Sequence, residues 1–325
     1  MKWCLRLAVV FSCLKLVILW FLVRHLHDRF NQDSAVTYII DSVLAAVHPE
    51  SIRGYLKELP NDVEVGDKII VMARLEEENA DWVQDELPDW QRAIYVVNPS
   101  QKTLSDRSVL TTPVNKGHES MAYLTYIIDN YHNLPRTIAF LHAHRSGYLR
   151  AWHVDAPLHD NAIALRLLQL DYVQLTGYVN LRCNWNPGCI KAHRINLHVT
   201  DKVWMEVFAG TGTAPWNQSS SSSTMVGGSP PDANDDNNRP LLQPMDKPKE
   251  VAAACCAQFA VSRDQVHKRS LNDYVQFRNW VLTTKLSDAS SGRVMEYLWH
   301  IIFGMDAVFC PEENECYCAV FGQCR

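Results

Sequence analysis

The residues best suited to chemistry gather where an apolar run ends: His142, His144 and Arg145, followed by Trp152, His153, Asp155, His159 and Asp160. Two imidazoles two positions apart share a face if the chain stays extended, and such a pair can grip one ion. Two ligands do not complete a site, so Asp155 or Asp160 would have to add oxygen donors after the turn Ser146-Gly147-Tyr148. Arg145 suits a phosphate or carboxylate, and Asp155 suits a proton acceptor. The ordinary alternative is that these histidines are hydrogen-bonded packing residues beside a solvated arginine.

Two further groups stand apart in sequence. Asn115-Lys116-Gly117-His118-Glu119-Ser120 precedes a helical pattern, and free N–H groups at a helix start attract anions, with Lys116 assisting and Glu119 beside it. One glycine is far short of a dinucleotide or P-loop fingerprint, and a plain capped helix start competes with the anion reading. Arg293, Glu296 and His300 recur at spacings of three and four, which lines them along one helix face and offers Glu296 as a base with His300 a turn away. Surface pairing is the ordinary fate of such residues. Arg74 and the acidic Glu76, Glu77, Glu78 and Asp81 follow an earlier apolar run and fall at the same expected edge. No Gly-x-Ser-x-Gly elbow and no His-Glu-x-x-His motif occurs in the sequence.

The elements that position these residues read as α/β. Lys68–Ala73 (KIIVMA), Ala93–Val97 (AIYVV) and Thr137–His142 (TIAFLH) are continuous apolar runs of the kind found in strands covered on both faces. An acidic turn or short helix, Glu76–Trp90, joins the first two. Ser120–Tyr131 carries a helical stripe through Met121, Leu124 and Ile128. This alternation predicts a mixed, largely parallel sheet flanked by helices. Helices are expected over Asn161–Leu170, over Asp201–Phe208 with Thr200 as cap, over Tyr274–Leu282, and over Gly292–Phe303 with Ser291 as cap. Cys255–Val261 reads as a further strand leading into the capping-box pattern Ser262-x-x-Gln265. Residues 210–249 are rich in Ser, Pro, Asn, Asp and Gly and read as a disordered insertion.

Of the 325 residues, 47% are hydrophobic, enough for a packed core, and 31 Lys plus Arg stand against 36 Asp plus Glu, a balance that argues against nucleic-acid binding. Residues 5–23 are apolar except for Arg6, Ser12 and Lys15, and no small-residue cleavage site follows. Residues 1–27 therefore read as an uncleaved signal anchor, 28–67 as a stem, and 68–325 as the globular domain. Basic residues flank both ends of the apolar segment, so they do not orient it, and the cysteines must. Eight lie beyond the anchor, four of them in the 305–325 tail as Cys310, Cys316, Cys318 and Cys324. Disulfides are preferred over a zinc knot, because the tail has no His and lacks Cys-x2-Cys spacing. Disulfides and the sequon Asn217-Gln218-Ser219 place the domain in a lumen of the ER or Golgi type or at the cell surface.

The strings NKGHESMAYLTYIIDNYHNLP (115–135), FLHAHRSGYLRAWHVDAP (140–157), GYVNLRCNWNPGC (177–189), CCAQFAVSRDQV (255–266) and SGRVMEYLWHIIFG (291–304) resemble the fungal membrane-anchored proteins grouped as DUF3431. The tail CPEENECYC is similar as well. The layout of anchor, stem and lumenal α/β domain looks like a GT-A glycosyltransferase, which implies a nucleotide sugar as donor and a glycan or other hydroxyl as acceptor. Such enzymes usually hold a divalent ion with Asp-x-Asp where this chain has His142-Ala143-His144-Arg145.

On that resemblance, Asp155 or Glu296 deprotonates the acceptor and His142 and His144 hold an optional divalent metal ion. Lys116 and Arg145 meet the donor phosphates, and Arg74, Glu119, Trp152, His153 and His300 complete the substrate contacts. The alternative is a non-catalytic lumenal or extracellular module that binds a glycan or another partner through its Trp-rich edge, and a metal-dependent hydrolase is a third reading.

Overall fold

The computed structural model describes residues 65–146, 153–156, 159–194, 198–209, 211 and 247–324. The expected anchor, most of the stem, Trp152, Asn217 and most of the serine-rich insertion lie outside the described residues. Among the described residues no helix is long and apolar enough to cross a membrane.

The frame is a mixed α/β sheet of six strands in the order β3-β2-β1-β4-β7-β5. Its strands are β1 (Lys68–Arg74), β2 (Gln91–Val96), β3 (Leu110–Thr111), β4 (Thr137–His142), β5 (Tyr178–Asn180) and β7 (Phe259–Ser262). β1 pairs in parallel with β2 and β4, and β2 with β3. β7 runs antiparallel to both β4 and β5, so it alone is reversed. Two short strands, β6 (Ala252–Ala253) and β8 (Val308–Phe309), form a small parallel pair.

Both faces of the sheet are covered, which is why β1 and β4 are almost uninterrupted runs of apolar residues. Ile69, Val71, Ile138, Phe140 and Phe259 belong to a core with the Ser120–Asn130, Asp201–Phe208 and Leu271–Thr283 helices. Tyr123 packs on Phe140 at 4.7 Å and on Trp299 at 5.7 Å between ring centres. Ile70, Met72, Ala139 and Leu141 alternate with that set and are buried against the opposite face.

Several local expectations hold. Thr200 caps its helix through Val203 N–H, and Ser262 caps Arg263–Val266 through Gln265 N–H. Others change. The expected 292–303 helix is two helices, Asp288–Glu296 and Trp299–Ile302, and the first is capped by Ser287 rather than Ser291. Tyr297 N–H turns back to Arg293 O and Met295 O, ending that helix, so Glu296 and His300 do not share a face. The strand expected over 255–261 begins only at Phe259, because Cys255 and Cys256 form a disulfide in a turn. The ends of the insertion are ordered: Thr211 is buried, and Lys247 lies 3.9 Å from Asp201.

The tail does not staple itself alone. Cys310 bonds to Cys189 and Cys316 to Cys183, while Cys318 and Cys324 pair locally. Trp185 reinforces the first two links by donating from N–H to Glu313 Oε1 at 2.7 Å and from Nε1 to Pro311 O at 2.7 Å.

Candidate active site

In an open α/β sheet, ligands gather beyond the carboxyl ends of the parallel strands where strand order switches direction. Here that point lies between β1 and β4, which end at Arg74 and His142 in matching register. A cleft of about 440 Å³ opens there, lined by Arg74, Glu78, Asn115, His118, Glu119, His142, His144 and Asp288. Its size suits a small ligand.

His142 has the same parity as Phe140, so its ring leaves the sheet on the side of the Ser120–Asn130 helix, whose N-terminal neighbour is Glu119. Its Nε2 is enclosed, has no hydrogen-bond partner, and lies 3.9 Å from Glu119 Oε2. His153 packs on the ring at 4.5 Å. Burial, and then the neighbouring His153, His144 and His118, hold the His142 imidazole well below its ordinary pKa, so it is neutral at pH 7.

Glu119 moves the other way. Burial, reinforced by the charge of Glu296, pushes its carboxyl up to about 8. Glu296 is also raised by burial, but Arg293 at 2.5 Å and the Cys256 N–H at 2.9 Å oppose this. Two largely enclosed carboxyls in unequal surroundings, Glu119 on the cleft wall and Glu296 near it, thus stand beside a neutral imidazole. Such a divergence assigns acid and base roles to neighbouring groups.

Glycine lets the walls close. A side chain on Gly292 would place Cβ 2.9 Å from His118 Cγ, so only glycine allows the Asp288–Glu296 helix to approach His118. His118 in turn meets Asp288 at 3.2 Å. Behind the cleft, His142 N–H donates to Gln258 Oε1 at 2.7 Å, Gln258 Nε2 to Asn161 Oδ1 at 3.1 Å, and Asn161 Nδ2 to His144 O at 2.7 Å. Gln258 and Asn161 are fully buried, so this chain fixes the strand end rigidly.

The residues expected from sequence separate into two groups. Arg74, Glu119, His142, His144, His153 and Glu296 lie in or against the cleft. Arg74 Nη1 donates to Leu75 O, Glu76 O and Glu78 O, shaping the turn after β1. The others are engaged elsewhere. Lys116 Nζ donates to Leu282 O and Thr284 O at the end of the Leu271–Thr283 helix. Arg145 bridges Glu86 at 2.8 Å and Asp160 at 3.1 Å, and Asp160 caps the Asn161–Leu167 helix.

Asp155 accepts from Cys183 N–H and Asn184 N–H at 2.7 and 2.8 Å and approaches the buried Arg182 at 3.7 Å. It organises the loop beside the Cys183–Cys316 bond and makes no contact with the cleft walls among the described residues. His300 is buried, donates from Nε2 to Ala307 O at 3.1 Å, and burial lowers its pKa to about 4. Trp152 lies outside the described residues.

The expected metal pair does not converge. β4 ends at His142, so the period of two stops there, and His144 turns to Glu78 at 3.3 Å. Among the described residues, the one set of three donor atoms mutually within 4.8 Å is Cys255, Cys256 and Glu296, and its two sulfurs are joined as a disulfide rather than free as thiolates. The donor set around His142 and His144 therefore does not fit a divalent ion, and no chemical step is assigned to one.

Asp288, Gln258, Asn161 and the Cys255–Cys256 bond were not expected at the site from sequence. Only the adjacent cysteines carried a local signal. A larger hollow of about 980 Å³ lies between the Asp201–Phe208 and Leu271–Thr283 helices, with Lys202, Glu206, Gln276 and Asn279 on its wall. It lacks a facing pair of buried carboxyls among the described residues, so the smaller cleft is where the chemistry is concentrated.

Fold and cleft define a mixed α/β protein with two largely enclosed carboxyls and a neutral histidine near the switch point of its sheet. The family described as "Protein of unknown function (DUF3431)" matches residues 70–319, and the chain belongs to that family. No curated protein and no solved structure matches.

Proposed function

We propose that the protein is a glycosyltransferase-like enzyme of GT-A type that moves a sugar from a nucleotide donor to a hydroxyl acceptor without a divalent ion. The observation that carries this reading is the pair of unequal, largely enclosed carboxyls at the switch point of the sheet: Glu119, which lines the cleft 3.9 Å from His142, and Glu296, whose charge helps to raise it. In the transfer, the acceptor oxygen forms a bond to the anomeric carbon while the bond from that carbon to the donor diphosphate breaks. Glu296 takes the acceptor proton, and the protonated Glu119 gives its proton to the departing diphosphate oxygen. Arg74, His118 and His144 line the same cleft and face the phosphate charge. Of the two bases expected from sequence, Glu296 is the one that fits, since both N–H contacts of Asp155 serve the 183–184 loop.

The sheet order and the buried parallel strands support the GT-A likeness. The disulfides support a domain in an oxidising lumen or at the cell surface, and the apolar residues 5–23 are the proposed anchor. A thermal-shift panel of nucleoside-diphosphate sugars, run with and without Mn²⁺ and Zn²⁺, tests the reading. Stabilisation by at least one donor, independent of metal and lost in Arg74→Ala, is expected. A flat response to the whole panel overturns it.

A further inference from the structure

Cys255 and Cys256 are neighbours in sequence and are bonded to each other in the turn that leads into β7. The backbone here is unusual, because Cys256 has φ 96° and Ala257 φ 51°, left-handed values that side chains disfavour. Such a conformation persists only where the surroundings over-determine it. The small covalent ring of adjacent bonded cysteines is one such constraint.

Two holds on the cleft depend on this turn. Cys256 N–H donates to Glu296 Oε1 at 2.9 Å, and Gln258 Oε1, two residues further on, accepts from His142 N–H at 2.7 Å. Both sulfurs lie within 4.8 Å of the Glu296 carboxylate. Cys255 is buried and Cys256 is partly exposed, so an incoming thiol reaches the Cys256 sulfur first.

We infer that the Cys255–Cys256 bond is a reducible latch on the cleft, holding Glu296 and His142 in place through the Cys256 turn until a dithiol reductant opens it. The thiolate of the reductant attacks Cys256 Sγ, a mixed disulfide forms, and Cys255 leaves as a thiolate that takes a proton. The second thiol of the reductant then attacks its own mixed disulfide, releasing Cys256 as a thiol and closing the reductant into a cyclic disulfide. Two electrons pass to the protein. The turn relaxes towards ordinary backbone angles and Glu296 loses its N–H partner. The effect on turnover rests on the function proposed above; the latch itself does not.

The test treats the full chain with graded, limiting dithiothreitol, alkylates the freed thiols, maps them by peptide mass spectrometry, and follows hydrogen exchange at the amide of residue 256. Cys255 and Cys256 should be alkylated while Cys183–Cys316 and Cys189–Cys310 stay closed. Exchange at residue 256 should then rise about tenfold or more, as expected when a hydrogen bond to a charged group is lost. In Cys255→Ala/Cys256→Ala, exchange should be fast from the start and unchanged by reductant, although Cys318–Cys324 can still open. Exchange within twofold of the oxidised protein after the bond has opened overturns the inference. So does a bond that resists reduction until the two buried disulfides open. Exchange is read without substrate, so failure of the latch and failure of donor binding are separate results.

Discussion

Glu119 shows how position sets chemistry at the level of one side chain. With its carboxyl raised to about 8, the folded protein holds a proton that the unfolded chain releases near its ordinary value of 4.5. The folded state therefore binds more protons between those limits, and stability falls as pH rises from about 4.5 through 8. Glu119→Gln removes this titration. Its Tm should gain on the wild type on going from pH 5 to pH 8, by on the order of 5 °C, while donor-dependent turnover should drop roughly 10²-fold or more. A parallel pair of Tm profiles would show that Glu119 is not held neutral.

Asp155 provides the contrast. Asp155→Asn should lower stability by about 1–3 kcal/mol in urea titrations, because two backbone N–H groups and Arg182 lose a charged partner, with donor affinity unchanged. A variant of full stability that no longer binds donor would restore Asp155 to the cleft. Both carboxylates were visible in the sequence as chemistry-bearing residues. Their roles were not, because the groups that decide them, Glu296 and His142 for one and Cys183 and Asn184 for the other, are distant along the chain.

At the level of elements, the apolar runs of β1, β2 and β4 and the stripe of the Ser120–Asn130 helix were legible because burial on both faces, or on one helical face, leaves a periodic trace. The reversed direction of β7 and the short β3, β5, β6 and β8 were not, since pairing partners and strands of two or three residues leave almost none. The break after Glu296 was also hidden. Helical spacing continues through it, and only the turn of Tyr297 N–H onto Arg293 O and Met295 O shows where His300 rotates into the core. Gly292 makes the approach of that helix a matter of one missing methyl group. Gly292→Ala, despite its better helix propensity, should cost about 1–3 kcal/mol through overpacking and should shift the His118 ring resonances. An unchanged or raised Tm would mean that the helix and His118 are not in contact.

For the molecule as a whole, the cysteines join regions far apart in sequence. The Cys183–Cys316 and Cys189–Cys310 bonds span 133 and 121 residues and tie the tail to the loop after β5. Replacing Cys183 and Cys316 together by Ser should lower stability by roughly 2–5 kcal/mol under non-reducing conditions, measured by denaturant unfolding. A loss below about 1 kcal/mol would mark the tail as an appendage rather than part of the fold. The sequence showed that the cysteines form an even set beyond the apolar N-terminal segment, but not which pairs form, because the pairing is decided by the packing of the Glu313–Phe321 helix against distant loops.

The proposed donor site is the cleft between the ends of β1 and β4. A crystal structure of the protein soaked with nucleoside-diphosphate sugars, without divalent metal, would show whether a donor binds there. Density is expected in the cleft, with the diphosphate near Arg74 and the anomeric carbon beside Glu119 and Glu296. Donor density confined to the hollow beside the Leu271–Thr283 helix, or a cleft filled only by solvent at saturating donor, would contradict it.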